Sequence, residues 1–196
     1  MKIGLLTALW VVLIVGAFWK FEGSYLIPVR KASGIMQPTP AMKLTKKLDL
    51  ASYQGKIVLI NFWNPDCACS EFAEAHVRQL DKEYSNKGVE FVTVVVTDAA
   101  SAMQAFEKAH KRQVPGTLIL DSQGEICKEF DVLAAPAAVI YGRDGQPVYR
   151  GAYNIARFCD SRDTAFAQKA LQNLVAGKRE VIKPLPFYGC TTVAAR

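Results

Sequence analysis

Cysteine and histidine are scarce in this sequence. Its 196 residues hold five cysteines, at positions 67, 69, 127, 159 and 190, and two histidines, His76 and His110. Five cysteines are too thinly spread for a disulfide scaffold, and an odd number leaves at least one thiol unpaired within the chain. Charge is also modest: 21% of residues carry it, with 24 basic against 18 acidic side chains and a net +6. Combined with 51% hydrophobic residues, that balance excludes a disordered or low-complexity chain. There is no internal repeat and no basic patch interleaved with aromatics, so nucleic acid is not an expected partner.

What is present begins with one long apolar run. Residues 3–19 carry no charge and are flanked by Lys2 and Lys20. As a helix they span about 25 Å, somewhat less than a hydrocarbon core of about 30 Å, and snorkelling lysines make up the difference. Phe18 and Trp19 stand where an interfacial aromatic belt belongs. A cleaved signal needs small residues after the run, and FWKFEG supplies none. Residues 1–22 are therefore expected to form an uncleaved transmembrane anchor, N-terminus inside, with the remainder exported. Residues 23–47, with Pro28, Pro38, Pro40 and scattered basic side chains, read as a linker and lead-in.

From residue 48 the periodicity alternates between strand and helix. Residues 56–63 (KIVLINFW) and 89–97 (VEFVTVVVT) are continuous β-rich runs, the pattern of strands buried on both faces. Helices are expected over 69–87, with Phe72, Ala75, Leu80 and Tyr84 inward, and over 99–113, with Met103 and Phe106 inward. A short strand at 117–120, a short helix at 124–130, a hairpin of 137–141 with 147–149 and a helix at 164–176 follow. This order predicts an α/β domain over 48–177, a central mixed sheet with helices on both faces. Residues 178–196 form a Pro-containing tail that carries Cys190.

The chemistry concentrates where the first buried strand runs into a helix, at NFWNPDCACS, residues 61–70. A cysteine at a helix N-terminus faces unpaired backbone N–H groups and the positive end of the helix dipole. Both favour the thiolate, the form that attacks. Asp66 beside it works in the opposite direction.

NFWNPDCACS preceded by GKIVLI, together with AAPAAVIYGRDGQPVYRGAY further on, resembles the membrane-anchored bacterial thioredoxin-like redoxins, periplasmic thiol–disulfide proteins. The likeness covers residues 42–177. It implies a three-layer thioredoxin-like fold, a cis peptide at Ala135–Pro136 facing the attacking Cys67, and protein thiols and disulfides as substrates. It also implies a single-pass protein of the inner membrane whose C-terminal domain is periplasmic or otherwise extracytoplasmic. No dissociable cofactor is implied, because sulfur is both nucleophile and leaving group. Trp63, Asp66 and Ser70 are the supporting positions. Two departures matter: the family's usual second cysteine position is Ser70, with the sulfur one residue early at Cys69, and Asp66 replaces the usual Trp.

Two other classes compete with exchange. Cys67 and Cys69, with Cys190, offer soft ligands for copper or zinc; His76, seven residues along the helix from Cys69, is placed too far to join them. A redoxin fold kept as a non-catalytic interaction module is the second. Cys127 reads as a small buried hydrophobe. Cys159 and Cys190 either pair with each other as a structural disulfide or supply a resolving thiol at the active site.

Overall fold

Strand β2 (Ile57–Trp63) organises the molecule. Its side chains alternate between faces, as a pleated strand requires: Val58, Ile60 and Phe62 enter one apolar cluster, Ile57 and Leu59 another. All seven residues are buried, because β2 lies at the centre of a five-stranded sheet. Parallel neighbours are β3 (Val89–Val96) and, beyond it, β4 (Thr117–Asp121). On the other side β6 (Ala137–Tyr141) and β7 (Pro147–Gly151) run antiparallel, joined by the expected hairpin. The computed structural model describes residues 2–27, 48–155, 158–182 and 185–192.

Helices α2 (Ala68–Tyr84) and α5 (Phe166–Val175) cover one face of the sheet, burying Val77, Leu80, Tyr84, Ala167 and Leu171 with Tyr149 and Ile140. The short α4 (Glu125–Glu129) places Ile126 and Cys127 in the cluster on the opposite face. Helix α3 (Ala102–Lys111) packs Ala105 and Ala109 on Trp63 and Val95. The expected mixed sheet with helices on both faces is the observed one.

Two helix faces differ from expectation. In α2 the buried row is Ala73, Val77, Leu80 and Tyr84, while Ala75 is exposed and Phe72 is 40% exposed. The observed row keeps a strict i, i+4, i+7, i+11 spacing, and Phe72 turns outward to pack against Phe158, the rings tilted by 59° with centroids 4.9 Å apart. In α3 Met103 is 72% exposed and small alanines face the sheet, leaving Phe106 partly buried at the margin.

The tail differs most. Where the sequence pattern marks no element, it forms β8 (Phe187–Tyr188) and β9 (Cys190–Thr191). Strand β9 pairs antiparallel with β5 (Ala134–Ala135), and β8 pairs with β1 (Leu26–Ile27). Phe187 is buried in the cluster beneath β2.

At the N-terminus, α1 (Lys2–Tyr25) is a 24-residue helix with Leu9 to Val15, Phe18 and Trp19 exposed. Among the described residues no helix is long and apolar enough to cross a membrane. The side chains at positions 3, 5 and 6 of the uncharged run, and residues 28–47 of the expected linker, lie outside the described residues.

Candidate active site

Cys67 is the N-cap of α2, in extended backbone conformation (φ −104°, ψ 115°), and only 2% exposed. Its thiol makes no capping bond to the helix. Instead Sγ donates to the carbonyl oxygen of Ala135 at 3.4 Å, across the junction from the sheet's antiparallel half. The Ala135–Pro136 peptide is cis, as the resemblance implied. A buried cysteine at a helix N-terminus, held against the residue before a cis-proline, is the centre of the site.

The turn that presents Cys67 is tied by its own atoms. The Cys67 N–H donates to the Asn64 carbonyl at 3.2 Å and the Asp66 N–H to Asn64 Oδ1 at 2.9 Å. Ser70, at the usual second-cysteine position, is buried, and its Oγ accepts from the Asn64 N–H at 3.2 Å. Asp66 points outward, its carboxylate taken up by Lys108 of α3 at 2.6 Å. A half-exposed lysine thus offsets the charge that sequence reasoning set against the helix dipole.

Beneath the turn lies a network that sequence reasoning missed. Trp63 Nε1 donates to Glu74 Oε1 at 3.1 Å, and Arg112 reaches the same oxygen at 3.0 Å. Glu74 is 8% exposed. The hydrogen bond it donates to Glu74, opposed by partial burial, holds the Arg112 guanidinium above its usual range. A second chain runs from Tyr153 Oη to Asn61 Oδ1 (2.9 Å), from Asn61 Nδ2 to Thr93 Oγ1 (3.1 Å), and on to the Pro115 carbonyl (2.7 Å). Asn61 was visible inside an apolar strand; its polar side chain was the available signal.

Cys69, Pro136, Tyr153, Cys159 and Tyr188 line one small cleft. The structure therefore brings Cys159 to the Cys69 side of the site. Cys159 carries a free thiol, pushed up to about 11 by burial and then by Asp160, on backbone at φ 55°. Neither a Cys67–Cys69 nor a Cys159–Cys190 disulfide is present, since Cys67 and Cys159 are both thiols. Cys127 is buried, its thiol raised by burial and by Asp121, so the reading of a small core hydrophobe stands. His76 packs edge-on against Tyr153, and burial lowers its pKa from 6.5. Among the described residues no three His, Cys, Asp or Glu side chains are grouped to hold a metal ion. Cys67, Cys69 and Cys190 are thus not gathered as the alternative ligand set required.

A family model described as a domain of unknown function, DUF6436, matches residues 37–192. The chain belongs to the DUF6436 family. The match reaches the tail strands as well as the sheet. Among curated proteins, this DUF6436 chain is similar to thiol-disulfide oxidoreductase ResA of Bacillus thuringiensis. The two are 29% identical over 103 residues, 53% of this chain and 58% of ResA. The chain thus spans little more than half the length of the curated relative it matches. A conserved protein of Geobacillus kaustophilus has a solved structure with TM-score 0.63 and 24% identity over 71% of this chain and 78% of that one. A thioredoxin-like protein of Porphyromonas gingivalis gives TM-score 0.50 and 21% identity over 62% and 77%. The fold of this DUF6436 member is thioredoxin-like.

Proposed function

We propose that this chain performs thiol–disulfide exchange on partner proteins, with Cys67 as the attacking thiol. The observation that carries the reading is the placement of the Cys67 thiol at the α2 N-terminus, 3.4 Å from the carbonyl of Ala135, the residue before cis-Pro136. Backbone N–H groups at the helix start favour the thiolate, and Pro136 shapes the groove that takes an extended partner segment. In the first step a Cys67 thiolate attacks one sulfur of a partner disulfide and the other sulfur leaves as a thiolate. Cys69, in the first turn of α2, resolves or modulates this adduct. Trp63, Asp66 and Ser70 hold the presenting turn. Exchange needs no dissociable cofactor. Similarity to proteins named thiol-disulfide oxidoreductase ResA supports the same chemistry.

The domain acts on the extracytoplasmic side of a bacterial inner membrane, anchored by the uncharged run of residues 3–19, whose side chains at positions 3, 5 and 6 lie outside the described residues. That run and the exposed apolar residues of α1, Leu9 to Val15, support this placement. Turnover of a mixed-disulfide substrate by the full chain tests the proposal. Cys67→Ser is expected to abolish it, and undiminished turnover by that variant would overturn the reading. Fractionation and protease accessibility in intact cells test the placement; a domain protected with the cytoplasmic markers would refute it.

A further inference from the structure

The C-terminal strand lies across the site. Phe187 is buried in the core at one end, and Thr192 is buried at the other. The Thr192 N–H donates to the Leu133 carbonyl at 2.9 Å and its Oγ1 to the Val132 carbonyl at 2.9 Å. Between these two anchors, Gly189 and Cys190 are laid along the segment that precedes the cis-proline.

The register puts Cys190 directly opposite Ala135. Opposed residues of an antiparallel pair lie about 4.5–5.5 Å apart at Cα. Ala135 is also the residue whose carbonyl accepts the Cys67 thiol at 3.4 Å. Two cysteines 123 positions apart in the chain (190 − 67) therefore converge on one residue. The Cys67 thiol is directed at β5, the strand against which Cys190 pairs, and makes no capping bond to its own helix.

Gly189 makes the approach possible. A Cβ at this position would stand 2.0 Å from the Ala135 oxygen and 3.1 Å from Pro136 Cδ, and its φ of +133° is one that side chains rarely adopt. No other residue type lets the tail lie this close to the cis-proline peptide. The Gly–Cys order thus has a physical reason: glycine seats the strand, and the next residue is the thiol. Cys190 is exposed, whereas Cys67 is buried.

From these relationships we infer that Cys190 is the resolving thiol, delivered by a tail strand that takes the place of an extended substrate against β5. The inference rests on the exchange reading above and assigns its second step. Once Cys67 is disulfide-bonded to a partner, the Cys190 thiolate attacks Cys67 Sγ. The Cys67–Cys190 bond forms, the bond from Cys67 to the partner breaks, and the partner's second sulfur leaves as a thiolate. Two electrons pass from the pair to the partner, and the protons of Cys67 and Cys190 end on the two partner sulfurs. An external dithiol reduces the Cys67–Cys190 bond to restart the cycle, and the same steps reversed oxidise a partner. Cys69 is left the modulating role. Because the strand covers the edge of β5, a partner's extended segment and the tail compete for it.

The test uses the full chain in detergent, reduced and then treated with one equivalent of dithiobis(nitrobenzoate), with non-reducing peptide mapping by mass spectrometry. The expected product is the Cys67–Cys190 linked peptide, in the wild type and in Cys69→Ser. In Cys69→Ser/Cys190→Ser the nitrobenzoate adduct on Cys67 is expected to persist at least tenfold longer than in Cys69→Ser, because the second thiol's effective concentration is lost. Gly189→Ala, in the Cys69→Ser background, is expected to slow link formation by a similar factor. A Cys67–Cys69 or Cys159–Cys190 link as the dominant product, or an adduct lifetime unchanged by Cys190→Ser, overturns the inference. The failures are separable: Cys67-dependent turnover without the Cys67–Cys190 link removes only this assignment, whereas turnover without Cys67 removes the exchange reading beneath it.

Discussion

The indole N–H of Trp63, at the end of the central strand, donates to the carboxylate of Glu74 at 3.1 Å. Arg112, from the end of α3, meets the same oxygen at 3.0 Å. One carboxylate thereby joins β2, α2 and the end of α3 directly below the turn that presents Cys67. Glu74→Ala leaves the indole N–H without its acceptor, a loss of about 1–3 kcal/mol. Glu74→Gln keeps an acceptor and recovers part of it. Urea denaturation followed by tryptophan fluorescence measures both; equal stability of Glu74→Ala and the wild type would show that the network contributes nothing.

Tyr153 and Asn61 form the second buried link, at 2.9 Å and 92 positions apart in sequence. Tyr153→Phe keeps the ring against His76 but leaves Asn61 Oδ1 without this donor. The expected destabilisation is again about 1–3 kcal/mol, read from the denaturation midpoint. Asn61→Leu removes the polar group as well as its partner's need and is expected to cost less in the Tyr153→Phe background than alone, a coupling that a double-mutant cycle reads directly.

His76 sets a pH dependence. Burial lowers its pKa below 6.5 in the folded chain, so between the two values the unfolded state binds the extra proton. Its contribution to stability is full above 6.5 and is lost as pH falls from there toward the lowered folded value. Thermal melts are expected to show the midpoint decreasing through that window, with a shallower decrease in His76→Gln. Parallel profiles for the two proteins would assign the acid sensitivity elsewhere.

The thiols differ in reactivity by position. Cys159 is pushed up to about 11 and Cys127 higher still, both chiefly by burial, whereas Cys190 is exposed. Alkylation at mildly alkaline pH, followed by mass mapping, is expected to label Cys190 first and leave Cys127 and Cys159 untouched until the chain unfolds. Early labelling of Cys127 would contradict its place in the core.

Lys108 and Asp66 are close, at 2.6 Å, but both are about half exposed or more. Lys108→Ala is therefore expected to change global stability by less than about 1 kcal/mol. A larger loss in a melt at moderate salt would mean that the pair holds the presenting turn together rather than merely decorating it.

Local chemistry was readable before any tertiary contact. The β-rich run of β2, the change to helical spacing at Cys69, and a cysteine beside that change placed the central strand and Cys67, because strand and helix periods are properties of neighbouring residues. Resemblance to the redoxins added the cis-proline at position 136. Fine choices of helix face were less legible: Phe72 and Met103 fit an apolar stripe as well as Ala73 and Ala105 do, and only packing space against the sheet separates them.

Sequence by itself therefore determined a mixed α/β domain with a cysteine at a helix start, since hydrophobic period acts over a few residues. The tertiary structure decided which groups meet across long separations. It seated Glu74 under Trp63, linked Tyr153 to Asn61, drew Cys159 to the Cys69 side of the cleft, and turned the tail into a strand against Ala135. Such meetings depend on the path of the sheet and on the close approach that Gly189 permits, and neither leaves a periodic mark in the chain.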